Sequence, residues 1–161
     1  MKILGIDPGL NCTGWGVIEQ QGNRLSFIAA GQIKTNAADP LATRLNMLHH
    51  GMAQMLQLYT PQEAAIEETF MNTNALSSLK LGHARGALML SVSLENVPLT
   101  EYATRLVKKS VVGVGKAEKE QVAAMVAMIL PGAKATSADA YDALAVAICH
   151  AHHRKSLEFR V

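Results

Sequence analysis

A chain of 161 residues with a formal net charge of +2, only 17% charged residues and just under half apolar ones, can bury one substantial core and is too apolar to stay disordered. No apolar run approaches the roughly 18 residues needed to span a bilayer, and Asp7 stands where a secretory signal would continue its apolar stretch, so a cytoplasmic protein is expected. Cys12 and Cys149, the only cysteines, are too few for a disulfide scaffold and read as reduced thiols.

The first third reads as strands. Lys2–Asp7 is a short apolar run stopped by the turn signal Asp7-Pro8-Gly9. The apolar pattern resumes over 14–19, Gly22-Asn23 marks a second turn, and a third strand follows over 25–33. From Pro40 the period changes: Leu41, Leu45, Leu48, Met52, Met55 and Leu56 recur at helical spacing. Ala64-Ala65-Ile66 is a buried-type strand ending in Glu67-Glu68. A second helix is predicted over Ala75–Leu94, with Gly82 and Gly86 on one face, where another backbone could approach. Residues 98–102 form a candidate strand, followed by a helical turn carrying Arg105, Lys108 and Lys109. The glycine-punctuated stretch 111–115 reads as a loop and 117–130 as a helix stopped by Pro131-Gly132. Ser137 caps a last helix that runs to about His150. With no repeat or linker in sight, 1–161 is expected to be a single α/β domain, its mixed sheet antiparallel first and crossover-linked afterwards.

Four acids stand out. Asp7 either opens the Pro8-Gly9 turn, a position that favours Asp, or is presented at a strand end for chemistry. Glu67 is either a solvated strand end or the same kind of presented carboxylate. Asp139 and Asp142, three apart on a helix, share a face. Asp139 can simply complement the helix dipole. Asp142 lies in Ala140-Tyr141-Asp142-Ala143-Leu144-Ala145-Val146-Ala147-Ile148, apolar on nearly all sides, where an unpaired carboxylate is costly. A positive group must face this pair, either a metal ion or a buried Lys or Arg. Magnesium suits acids gathered from distant segments, because it prefers oxygen ligands and keeps several waters. Two such ions roughly 4 Å apart serve in-line phosphoryl displacement. Lys80, Arg85, Arg105, Lys108, Lys109, Lys116 and Lys119 are either solvated helix faces or phosphate contacts. The four lysines from Lys108 to Lys119 make the better case for phosphate, with binding that weakens steeply with salt.

Gly5-Ile6-Asp7-Pro8-Gly9 and Thr13-Gly14-Trp15-Gly16-Val17, then Ala65-Ile66-Glu67 with Phe70, Asn74 and Leu79 to Gly86, form two blocks. Val111 to Lys119 with Gln121-Val122, then Ala138-Asp139-Ala140-Tyr141-Asp142-Ala143-Leu144-Ala145, form two more. In this order the four blocks resemble the RuvC family of Holliday-junction resolvases, covering 1–152 and leaving the last residues as a tail. The resemblance implies a ribonuclease-H-like fold, a five-stranded mixed sheet flanked by helices. It implies a homodimer that nicks opposed strands of four-way branched DNA in recombination and repair, working with a RuvA–RuvB branch-migration complex. By position, Asp7, Glu67, Asp139 and Asp142 become the catalytic and metal-binding acids, with Mg2+ as cofactor, two ions per site, and Mn2+ able to substitute. Glu67 rather than Glu68 matches, because it directly follows Ala65-Ile66. Lys108 and Lys119 fall beside the scissile phosphate and Phe70 at the junction crossover, where stacking disturbs base pairs. Lys80, Arg85 and Lys116 complete the expected DNA contacts. Leu10 and Asn11 depart from the small polar and basic residues common in the family, and Trp15 replaces a frequent tyrosine.

Three rivals share parts of this pattern. A non-catalytic junction-binding module would keep the basic surface without needing four acids. A ribonuclease-H-like nuclease acting on RNA would share the acids. An actin-like or sugar-kinase lobe also opens with Asp beside a glycine turn, but no second phosphate-binding repeat follows. The six histidines and Cys149 match no standard zinc spacing.

Overall fold

The computed structural model describes residues 1–68, 74–133 and 137–158, with side chains as far as Arg154. Strands β1 (Lys2–Asp7), β2 (Cys12–Gln21) and β3 (Arg24–Lys34) form an antiparallel meander. Strands β4 (Glu63–Glu68) and β5 (Leu99–Ala103) extend it parallel to β1, in the order β3-β2-β1-β4-β5. This is the five-stranded mixed sheet that the sequence implied. The helices are α1 (Leu41–Tyr59), α2 (Ala75–Leu94), α3 (Thr104–Val112), α4 (Lys119–Ile129) and α5 (Ala138–Glu158).

Strand alternation divides the core in two. Leu4, Ile6 and Ile66 pack with Leu48 and Met52 of α1 and Leu88 of α2. Ile3, Ala65 and Tyr102 face the other way, against Val107 of α3, Val126 of α4 and Leu144 and Ile148 of α5. Burying each of the Leu, Ile, Val and Met side chains among these stabilises by roughly 1.5–3 kcal/mol, so both faces of the sheet contribute to the core.

Helix α5 lies directly on the sheet because glycines clear its path. A Cβ on Gly5 would sit 2.1 Å from the Ala143 carbonyl oxygen, and one on Gly14 would sit 2.1 Å from that of Asp139. These are backbone atoms that cannot give way, so any larger residue would lift α5 and carry its acids away from the strand ends.

Among the helices, three boundaries differ from those read in the sequence, and β2 is longer at both ends than the 14–19 read there. Val111 and Val112 belong to α3 rather than to a loop: Val111 is buried against the core, and the helix ends only at Gly113, whose φ of +89° suits glycine. Helix α4 begins at Lys119, because Glu118 and Gln121 form a reciprocal capping box. Helix α5 continues past His150 to Glu158. There the Arg154 guanidinium grips Glu63 of β4 at 2.6 and 2.9 Å and holds the added turns to the sheet.

Candidate active site

Asp7 closes β1 and Glu67 lies near the end of β4. The register pairs Ile6 with Ile66, so the two acids are side-by-side neighbours on adjacent parallel strands. Both point to the face covered by α5, as do Gly5 and Ala65 two residues earlier. The Asp7-Pro8-Gly9 turn behind them is locked by the fully buried Thr13, whose hydroxyl donates to the Gly9 carbonyl at 2.7 Å. From the helix side Asp142 reaches the same place. A cleft of about 200 Å³ is lined by Asp7, Glu67 and Asp142 together with Lys108, Lys119 and Thr104.

Three of the four sequence-derived acids are therefore assembled on this cleft, a division that spacing alone did not show. Asp139 does not line this cleft. It sits over Gly14 on the β2–β3 side, where its Oδ2 accepts from the Cys12 thiol at 3.2 Å and from Gln32 Nε2 at 3.0 Å. It remains close enough to act on Asp7 electrostatically. Asp142 faces Lys119, whose ammonium is 3.6 Å away and largely exposed. The sequence anticipated a metal ion or a buried Lys or Arg against this carboxylate; the cation that faces it is instead an exposed lysine.

Electrostatically the cluster is overloaded with negative charge. Burial, then the neighbouring Glu67 and Asp142 carboxylates, push the Asp7 carboxyl up to about 8. Asp142 is also raised by burial, against the opposing pull of Lys119 and Lys108. A divalent cation placed among these oxygens would relieve both. Among the described residues no three His, Cys, Asp or Glu side chains enclose an ion by themselves.

The comparisons with known proteins bear on what such a cleft serves. The sequence pattern of crossover junction endodeoxyribonuclease RuvC matches residues 3–150. A RuvC from Maricaulis maris is 58% identical over 156 residues, 97% of this chain and 93% of that protein. One from Granulibacter bethesdensis is 54% identical over 97% of this chain and 88% of its own length. The chain belongs to the RuvC family. Thermus thermophilus RuvC, solved in complex with a Holliday junction substrate, superposes on this RuvC-family chain with a TM-score of 0.90 at 32% identity, covering 97% of this chain and 96% of that one.

The other expected DNA contacts are scattered. Lys108 and Lys119 flank the carboxylates. Lys116 is exposed between α3 and α4. Lys80 lies apart, in a separate cleft with Arg44 and Asn11. Arg85 is engaged inside the fold: it pairs with Glu101, and its Nε donates to the Glu67 carbonyl at 3.3 Å, bracing the strand end. Phe70 lies outside the described residues. Cys12 and Gln32 were not singled out from the sequence; a lone thiol and a mid-strand Gln carry no motif until the register sets them beside Asp139.

Proposed function

We propose that this chain resolves four-way DNA junctions by magnesium-dependent hydrolysis, with Asp7, Glu67, Asp139 and Asp142 as the acids that hold the ions. The observation that carries this reading is the convergence of three carboxylates and two lysines on one cleft at the ends of parallel strands. Bound magnesium, two ions per site and replaceable by manganese, supplies an activated water and charge stabilisation at the leaving oxygen. Asp7, crowded between Glu67 and Asp142, would hold magnesium together with them. Lys119 and Lys108 supply positive charge where a scissile phosphate would enter. A non-catalytic junction-binding module has no use for such mutually repelling acids, which burden the fold when no cation is bound.

The dimer that two symmetric cuts require finds support on α2. Leu76, Leu79, Leu90 and Leu94 are each about 60% exposed, and nothing lies within 4 Å of a Cβ built on Gly82 or Gly86. Among the described residues these glycines perform no close packing, which supports a second copy as the occupant of that room. The single sheet supports treating 1–161 as one domain, and action on DNA supports the cytoplasm as its compartment.

The test offers a synthetic four-way junction, a linear duplex and structured RNA to the protein, with magnesium or chelator. Paired nicks are expected only in the junction and only with metal. Asp7→Asn should bind the junction as well as wild type and cut it at least roughly a hundredfold more slowly. Metal-independent cutting, or equal cutting of RNA, would overturn the reading.

A further inference from the structure

Arg44 is 6% exposed, the one buried side chain among the described residues whose charge is permanent. Its Nε donates to Thr35 Oγ1 at 3.0 Å and its Nη2 to Asn11 Oδ1, both neutral acceptors. Among the described residues no carboxylate pairs with it. A guanidinium has five N–H donors in a planar fork, so this one retains donors beyond those two bonds. Fastening the β1–β2 turn to α1 needs hydrogen bonds only, and a buried cation without a counter-charge is an expensive way to supply them.

Arg44 also lines an open cleft of about 400 Å³, shared with Asn11, Ser77 and Lys80. Ser77 and Lys80 are three apart on α2 and share a face. The cleft meets the first turn of α2, whose dipole adds positive potential there. Because Asn11 Oδ1 accepts from Arg44, its amide nitrogen remains a donor. Every one of these features favours an oxyanion. Leu10, also on the cleft wall, is three residues beyond Asp7, a span of at most about 11 Å. The cleft therefore lies within a few nucleotides of the carboxylates, on the α1–α2 side of the same end of the sheet.

We propose that Arg44, Lys80, Asn11 and Ser77 form a second phosphate site, which takes a backbone phosphodiester of the bound DNA a few nucleotides from the scissile one. This rests on the reading of the chain as a junction nuclease. A bound strand then crosses the β1–β2 turn with one phosphate at the carboxylates and another held by Arg44 and Lys80, which fixes its register before cutting.

The experiment measures junction binding in chelator, so that no strand is cut, for wild type, Arg44→Met, Arg44→Lys and Lys80→Met across a salt series. Single phosphates around the cut are replaced by neutral methylphosphonates. Arg44→Met and Lys80→Met should each lower the salt slope by about one, and Arg44→Lys should restore it. One methylphosphonate position should weaken wild type roughly tenfold and leave the two Met variants unaffected. The proposal is overturned if both Met variants keep the wild-type slope and phosphate profile, even should Arg44→Met melt lower. Lys80 is exposed, so its variant keeps the test decisive if Arg44→Met fails to fold. If inorganic phosphate raises the melting temperature while no methylphosphonate position discriminates, the cleft holds a free anion and the backbone assignment is wrong. Failure of wild type itself to bind the junction would sink the underlying reading instead.

Discussion

Asp139 receives both of its donors on one oxygen: the Cys12 thiol and the Gln32 amide meet at Oδ2, and among the described residues Oδ1 receives none. Burial, followed by the adjacent carboxylate, pushes the Cys12 thiol up to about 11, so it stays protonated and serves as donor rather than nucleophile. Gln32 pairs with Gly14 across the β2–β3 ladder, and the missing side chain at Gly14 is what lets the amide reach the helix above. If Asp139 holds an ion as proposed, these two residues would position it and leave Oδ1 to meet the cation. Partners of this kind typically change metal affinity 10–100-fold. Gln32→Ala is expected to raise the magnesium concentration for half-maximal cutting about tenfold, with junction binding in chelator unchanged. Cys12→Ser, which keeps a donor, should stay near wild type. Manganese binding followed by electron paramagnetic resonance gives the same comparison without turnover. A lower metal-free melting temperature with an unchanged metal requirement would show that Gln32 merely fastens α5.

At the level of elements, α5 is held at both ends. Its first turn is fixed by Cys12 and Gln32, and its later turns by a polar chain in which Tyr102 donates to His150 Nδ1 and His150 Nε2 donates to Glu63, which Arg154 also grips. Tyr102, raised to about 12, has a proton to give, and ionised Glu63 can only accept, so the neutral imidazole carries its proton on Nε2. Arg154 foremost holds Glu63 down at about 2 against an ordinary 4.5, and burial lowers His150 below its ordinary 6.5. The signs agree. Protonating His150 weakens the fold as pH falls below 6.5, and the Glu63 contribution, complete above pH 4.5, is lost as pH falls toward 2. Glu63→Gln should cost on the order of 1–2 kcal/mol at pH 7 after solvent screening, with wild type and variant converging by pH 2 in urea unfolding. A gap that persisted at pH 2 would mean that charge is not what clips the helix. Much of this element was legible beforehand: the apolar run around Asp142 announced a helix buried on the sheet, and Asp139 and Asp142 were visible as a pair. Their separation into different surroundings was not. It depends on Gly14 and the β2–β3 register, which no local spacing encodes. Val111 in α3 and the capping box at Glu118 were missed for a related reason, since glycine punctuation outweighed burial and the Glu118–Gln121 reciprocity in a local reading.

For the whole molecule the open question is symmetry, because one cleft cuts one strand and a junction needs two. The proposed seam on α2 would run through Leu79, Gly82, Gly86, Leu90 and Leu94, one step of three followed by steps of four, which keeps these residues along one side of the helix. Large leucines at the ends and open glycines in the middle let two such helices cross closely at the centre and interdigitate beyond it. Leaving these leucines in water forgoes roughly 1.5–3 kcal/mol apiece, a strong drive to association. Leu90→Glu would place like charges across a two-fold contact and should shift sedimentation from dimer to monomer at micromolar concentration, with the far-ultraviolet circular dichroism spectrum unchanged. On a supercoiled plasmid that extrudes a cruciform, wild type should give mainly linear product, because both cuts fall within one bound lifetime. The variant should give nicked circles, with the first nick slowed less than the second. If Leu90→Glu remained dimeric and still linearised the plasmid, the symmetric partner would have to seat on another face, and the exposed leucines of α2 would need a different occupant.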